Sequence, residues 1–160
     1  MRQRLGTGMN RAAVRRAADI GKRVEYLAFS IAGELYAVKI AFVAEILKPL
    51  PITEVPRAPR NVVGVMSVRG RLVTVIDLRR RLRMPEAPID AHTRILLTDI
   101  GQGEQIGLMV DRVNQVYRLA ENEIEPADVL GGDQPAHIAG IGRPDRALLI
   151  LLNLIPILTV

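Results

Sequence analysis

Beyond residue 24 apolar and polar positions alternate mostly at period two. Leu27, Phe29 and Ile31 alternate with Tyr26, Ala28 and Ser30, which predicts a strand with one richer apolar face. Ala32-Gly33-Glu34 supplies a turn, and Tyr36-Ala37-Val38 resumes as the hairpin partner. From Ile40 to Leu47 the period switches. Ile40, Val43, Ile46 and Leu47 fall on one helical stripe with Glu45 and Lys48 off it, so a helix is expected there. Pro49 and Pro51 end it, because each removes an amide donor and restricts the residue before it. Residues 49–60 hold four prolines and read as an extended, braced loop.

Two apolar, β-branched runs follow, Val62–Arg69 and Leu72–Leu78, joined at Arg69-Gly70-Arg71, where Gly70 tolerates the positive φ of a tight hairpin. Asp77 to Leu82 reads as a helical turn with Leu78 and Leu82 facing inward. Further strands are expected at Arg94–Asp99, Gln105–Val110, Val113–Leu119 and Ala147–Leu152. Short strands with regular turn signals point to small barrels or a sandwich.

The two halves of this pattern resemble each other. Gly64-Val65 and Asp77-Leu78 recur 76 positions later as Gly140-Ile141 and Asn153-Leu154. Tyr36, Val38, Ile40, Val43 and Ile46 find Ile106, Leu108, Val110, Val113 and Val116 at an offset of 70. The six-residue difference is what one loop insertion produces, which suggests two related β subdomains sharing a core.

Composition changes the picture in three ways. The chain has 160 residues, enough for one compact domain or two small packed ones without a metal or disulfide staple. Cysteine is absent, which removes thiol catalysis, thiolate metal sites and disulfides and fits a reducing compartment. No apolar run reaches the roughly 18 residues of a membrane span, and no secretory signal is visible, so a soluble, cytoplasmic protein is expected. The net charge of +5 is unevenly placed: residues 1–23 carry +6 and residues 24–160 sum to −1. This basic arm is either a solvated extension with one transient helix over Asn10–Ile20, or a segment that touches nucleic acid or anionic lipid. The body has five aromatics, too few for a base-stacking surface, so no nucleic-acid partner is expected there.

Enzyme chemistry finds little support. The only serines, Ser30 and Ser67, sit inside predicted strands, and the only histidines, His92 and His137, lie in turn-like segments. Glu121, Glu123 and Glu125 read as a solvated strand edge, and Gly101-Gln102-Gly103 as a hairpin tip rather than a nucleotide loop. No catalytic residue, cofactor or metal is assigned. The unusual feature is basic: Arg69, Arg71, Arg79, Arg80, Arg81 and Arg83 are opposed in sequence by Asp77 alone. A solvated face is one reading of this cluster. Arg69 differs, because beside Gly70 at a tight turn it can present a guanidinium fork to a partner's carboxylate or carbonyls. Val43 belongs either to the core or to a partner surface, and Glu45 is free to point outward.

Several segments together resemble CheW-like domains. Tyr26-Leu-Ala-Phe-Ser-Ile, Leu35-Tyr-Ala-Val-Lys-Ile and Val43-Ala-Glu-Ile open the resemblance. Val55-Pro-Arg-Ala-Pro and Val63-Gly-Val-Met-Ser-Val-Arg-Gly-Arg-Leu-Val-Thr-Val-Ile-Asp-Leu continue it, and Ile106-Gly-Leu-Met-Val-Asp-Arg-Val and Leu149-Ile-Leu-Leu-Asn-Leu complete it in order. It spans Val24 to Leu154. The middle block is the most specific, since Gly, Arg-Gly and Asp-Leu keep the family spacing.

The resemblance implies a mainly β fold, two five-stranded barrels of the Src-homology-3 type sharing a core, with short helices. The domain is expected over 24–155, after the arm at 1–23 and before a C-terminal end at 156–160. It also implies a non-enzymatic adaptor linking the cytoplasmic tips of methyl-accepting chemoreceptors to the regulatory domain of a CheA-type histidine kinase. Membrane association is then only indirect, through arrays on the inner face. Arg69 and Gly70 match the family's Arg-Gly hairpin, and Val43 and Glu45 match further partner-binding positions. Departures are Ser67-Val68 for Asn-Leu, Thr74 for a proline, and Asn153 for a late acid. Pro156, close to residue 160, leaves little room for a closing helix. The alternative to the adaptor is a nucleic-acid or anionic-membrane binder acting through the arm.

Overall fold

A computed structural model describes residues 22–101, 103–130 and 135–159 of the chain. The basic arm, apart from Lys22 and Arg23, and the transient helix expected within it lie outside the described residues. β1 (Arg23–Ile31) turns through Ala32-Gly33 onto β2 (Glu34–Lys39), and a 3₁₀ turn (Ile40–Phe42) leads into β3 (Val43–Leu47). The proline-braced stretch contains a two-residue strand, β4 (Ile52–Thr53). The hairpin β5 (Val62–Val68) and β6 (Arg71–Asp77) follows it, then the short helix α1 (Leu78–Arg81). Asp77 caps α1, its carboxylate accepting from the Arg79 amide at 3.0 Å. The second half supplies β7 (Arg94–Asp99), β8 (Gln105–Val110), β9 (Arg112–Ala120), β10 (Ile124–Pro126), β11 (Ile138–Gly142), β12 (Leu149–Leu152) and α2 (Leu154–Leu158).

The strands form two six-stranded sheets, in the orders β10-β11-β12-β2-β1-β9 and β3-β7-β8-β6-β5-β4. Six strands, against the five per barrel implied above, reflect the very short β4 and β10 on an edge of each. Each sheet mixes the halves of the chain. The first hairpin, β1-β2, inserts among β9 to β12, and β7-β8 inserts among β3 to β6.

The pairing registers repeat as well. Thr74 faces Ile106 in the parallel β6–β8 ladder, and Ile150 faces Tyr36 in the parallel β12–β2 ladder. These are the same positions shifted by the 76- and 70-residue offsets. A bulge between Val62 and Gly64 recurs between Ile138 and Gly140. The Asp77 amide donates to Asn61 O at 3.0 Å, and the Asn153 amide to His137 O at 2.7 Å.

Alternation along these strands builds three cores. Leu27, Phe29, Tyr36 and Val38 of one sheet meet Ile76, Leu96, Leu108 and Val110 of the other in a shared core, sealed by Leu78, Leu154, Ile157 and Leu158. The opposite faces bury smaller clusters, Met66, Val68, Val73, Val75, Ile95, Leu97 and Met109 in one sheet and Tyr26, Ala28, Ala37, Leu119, Leu149 and Leu151 in the other. β1 is therefore buried on both faces, not on the one its richer stripe suggested.

Two sequence expectations fail for physical reasons. Residues 40–47 do not form a helix: after the 3₁₀ turn they are strand, paired antiparallel to β7. The β-branched Ile40, Val43 and Ile46 suit an extended chain, and a bulge between Val43 and Glu45 sends the apolar side chains different ways. Val43 packs on the shared core, Leu47 on the cluster of its own sheet, and Ile46 is exposed. Pro156 also does not prevent a closing helix. It sits in the first turn of α2, where its missing N–H has no intrahelical acceptor to lose. Within the stretch 156–160, Ile157 and Leu158 are buried against the shared core.

Candidate functional site

Arg69 and Gly70 are the two central residues of the β5–β6 hairpin, with φ of 49° and 81°. Positive φ at both positions is what a two-residue turn needs to follow the strand twist, and glycine takes the second without a Cβ clash. The turn holds Arg69 at the tip of a hairpin whose strands are locked in the sheet, so the guanidinium starts from a fixed base.

Glu45 lies on β3, at the far edge of the same sheet, opposite Leu97 in register. Three strands separate β3 from β5 in the pairing order, yet Glu45 and Arg69 touch, which requires the sheet to curl strongly. Arg69 Nη1 donates to Glu45 Oε1 at 3.1 Å and Nη2 to Oε2 at 2.7 Å, a two-pronged charge-assisted pair. Because Leu97 belongs to that sheet's buried cluster, the pair lies at the cluster's rim. The Arg69 hydrogen bonds hold the Glu45 carboxyl below the usual carboxylate range. The pair is solvent-exposed and contributes little stability. What it fixes is geometry, the hairpin tip held to the edge strand.

Of the four residues singled out in the sequence, three come together: Arg69, Gly70 and Glu45. Glu45 does not point freely outward but faces Arg69. Val43 goes elsewhere, because the bulge turns it to the shared-core face, where it is half-buried. The two elements that the pair joins also carry exposed apolar side chains: Leu72, two residues past Gly70 on β6, is 76% exposed, and Ile46, next to Glu45 in β3, is 43% exposed. The repeat places Leu148, 53% exposed, where Leu72 stands in the other sheet.

The remaining arginines do not form one solvated face. Arg79 clasps Asp111, donating from Nε to Oδ1 at 2.9 Å and from Nη2 to Oδ2 at 2.6 Å. Arg80 donates to Glu86 at 2.7 Å and lies 3.7 Å from Asp77. Arg81 reaches the Pro156 carbonyl at 3.0 Å. Asp111 and Glu86 were not legible as partners, because both lie outside the arginine run and only tertiary packing brings Asp111 to it. Among the described residues no His, Asp or Glu cluster has the arrangement of a metal site, and no helix is long and apolar enough to cross a membrane.

Comparison with known proteins decides the family. The CheW-like domain model matches residues 25–160. The chain belongs to the CheW-like family. This CheW-like chain is 33% identical to the chemotaxis protein CheW of Bacillus subtilis, over 85% of this chain and 87% of that protein. It is 30% identical to CheW of Helicobacter pylori, over 84% and 81% respectively. Protein FrzA of Myxococcus xanthus is 32% identical over 78% of each chain. Among solved structures, the scaffolding protein TtCheW of Thermoanaerobacter tengcongensis superposes with a TM-score of 0.79 at 32% identity, covering 87% of this chain and 94% of that one. The matched region begins after the basic arm.

Proposed function

We propose that this chain is a non-enzymatic adaptor that couples chemoreceptors to a CheA-type histidine kinase in a cytoplasmic array on the inner face of the membrane. Relatives carrying the names chemotaxis protein and scaffolding protein support the reading. The observation that carries it is the Arg69–Glu45 pair, an exposed guanidinium and carboxylate locked together, joining a hairpin and an edge strand that carry the exposed Leu72 and Ile46. Apolar side chains supply contact area to a partner, and the fixed charges set its register. Arg69, Gly70 and Glu45 form the partner-binding tip, while Val43 seats the edge strand that carries Glu45. Control then passes through geometry, since an adaptor acts by holding two partners at once.

The test is Arg69→Glu. This variant should keep the parent's circular dichroism while abolishing receptor-dependent control of the kinase. Control equal to that of the parent overturns the assignment of the tip. A second measurement addresses the adaptor role itself: co-elution with the kinase regulatory domain should survive high salt, as an apolar interface would. Absence of a complex, with salt-sensitive binding of DNA or anionic lipid by the arm, would favour a surface binder acting through residues 1–23.

A further inference from the structure

A second basic feature lies at the end of α1, on a part of the fold that the Arg69 tip does not reach. Arg80 and Arg81 on the helix, Arg83 just beyond it and Arg60 on the loop before β5 line one open cleft of about 1040 Å³. Glu86 is the one acid in its lining, so the walls carry a net charge of three positive. The cations are differently engaged. Arg80 is held by Glu86 and by the carbonyls of Arg60 and Val62, both at 3.3 Å. Arg81 spends Nη2 on Pro156 O, while its Nε is buried without a hydrogen-bond partner among the described residues. The exposed side chains of Arg60 and Arg83 donate to no described residue. Converging like charges repel one another, and an anion seated between them would relieve that repulsion.

We infer that this arginine-lined cleft is a binding site for a small phosphate-bearing anion. The concave shape and cations from two separate segments favour a compact, multiply charged ligand over an extended chain. A guanidinium fork matches phosphate oxygens in pairs, and the cleft has room for a diphosphate with an attached group. Glu86, largely exposed at the rim, occupies Arg80 until such an anion displaces it.

His137 offers a local reporter. Its ring is held below the usual imidazole range, first by burial and then by the Arg81 charge. An anion offsetting that charge should move it back up. With only two histidines in the chain, His92 serves as the internal control.

The experiment titrates inorganic pyrophosphate, and separately ATP, into the full chain at moderate salt while following both imidazoles by NMR. Saturable movement of His137 with an upward shift of its titration, and no change at His92, is expected. Arg60→Ala with Arg83→Ala should weaken binding by about tenfold per arginine removed, and Glu86→Gln should tighten it. All three side chains are exposed on loops, so the fold should survive. If neither phosphate compound moves His137 saturably, or if both histidines move alike as the basic arm's general affinity would cause, the site is wrong. Saturation by a glutamate hexapeptide and not by pyrophosphate would overturn the phosphate assignment. Saturation by ATP alone would support the site and show that it requires the attached nucleoside.

Discussion

Arg79 at the start of α1 grips Asp111, in the turn between β8 and β9, with two hydrogen bonds of 2.9 and 2.6 Å. Asp111 Oδ2 also accepts from the Ala32 amide, at 2.8 Å, in the turn of the first hairpin. One carboxylate from the second half of the chain therefore holds a turn and a helix from the first. Burial alone would raise the Asp111 pKa, but the Arg79 hydrogen bonds, the Ala32 amide and the Arg79 charge together bring it below the ordinary value.

Asp111→Ala should accordingly lower stability at neutral pH by about 2 kcal/mol, since it strands a half-buried arginine and a turn amide. A double-mutant cycle with Arg79→Ala, read from urea midpoints, should show coupling of about 1–2 kcal/mol. Additive losses would mean that the two side chains do not act together. Arg69→Ala, which breaks only an exposed pair, should leave the midpoint near the parent's.

Asp77 and Asp111 should act with opposite sign on the acid limb. Asp77 has a raised pKa, chiefly through burial, so its relative contribution is present below the ordinary aspartate value and lost as pH rises through the raised one. Asp111 has a lowered pKa, so its contribution is present above the ordinary value and lost as pH falls through the lowered one. Asp77→Asn should then be at least as stable as the parent at pH near 7, with the advantage vanishing below pH of about 4. The repeat supports this choice, because the matching position already carries Asn153 ahead of α2. Asp111→Asn should show a loss at neutral pH that vanishes in acid. Urea unfolding of both variants at the two pH values checks the pair of signs.

Gly64 and Gly140 perform the same service in the two sheets. A Cβ on Gly64 would meet Thr53 O at 2.2 Å, and one on Gly140 would meet Glu125 O at 2.7 Å. In each case a short edge strand lies directly against the glycine, so the backbone itself would have to move. Alanine at either position should destabilise the chain by about 1–3 kcal/mol, with the larger loss at Gly64. Thermal unfolding of the two variants measures the difference. Equal midpoints for Gly64→Ala and the parent would contradict the close approach of β4.

Glu45 should titrate below the usual glutamate range in the parent and return to that range in Arg69→Ala. Carboxyl-detected NMR follows the group directly. An unchanged titration would show that the pair is not formed in solution.

Much of this architecture is local enough to read from one dimension. Strand alternation, the Arg69-Gly70 turn and the helical turn from Asp77 to Leu82 each depend on neighbours a few residues away, and the repeated Gly64 and Gly140 mark the two halves in the sequence itself. The stretch 40–47 shows where local reading ends. Its apolar spacing fits a helical stripe, but pairing with β7 and a bulge at Ala44 distribute those side chains between two cores. Arg69 and Glu45 were each visible in the sequence, whereas their pairing was not, because curling of the sheet rather than sequence distance brings β3 to the hairpin. The exchange of hairpins between sheets, the Asp111 clasp and the arginine cleft are tertiary for the same reason. Each joins segments tens of residues apart, and periodicity encodes which face a residue takes but not which distant segment comes to meet it.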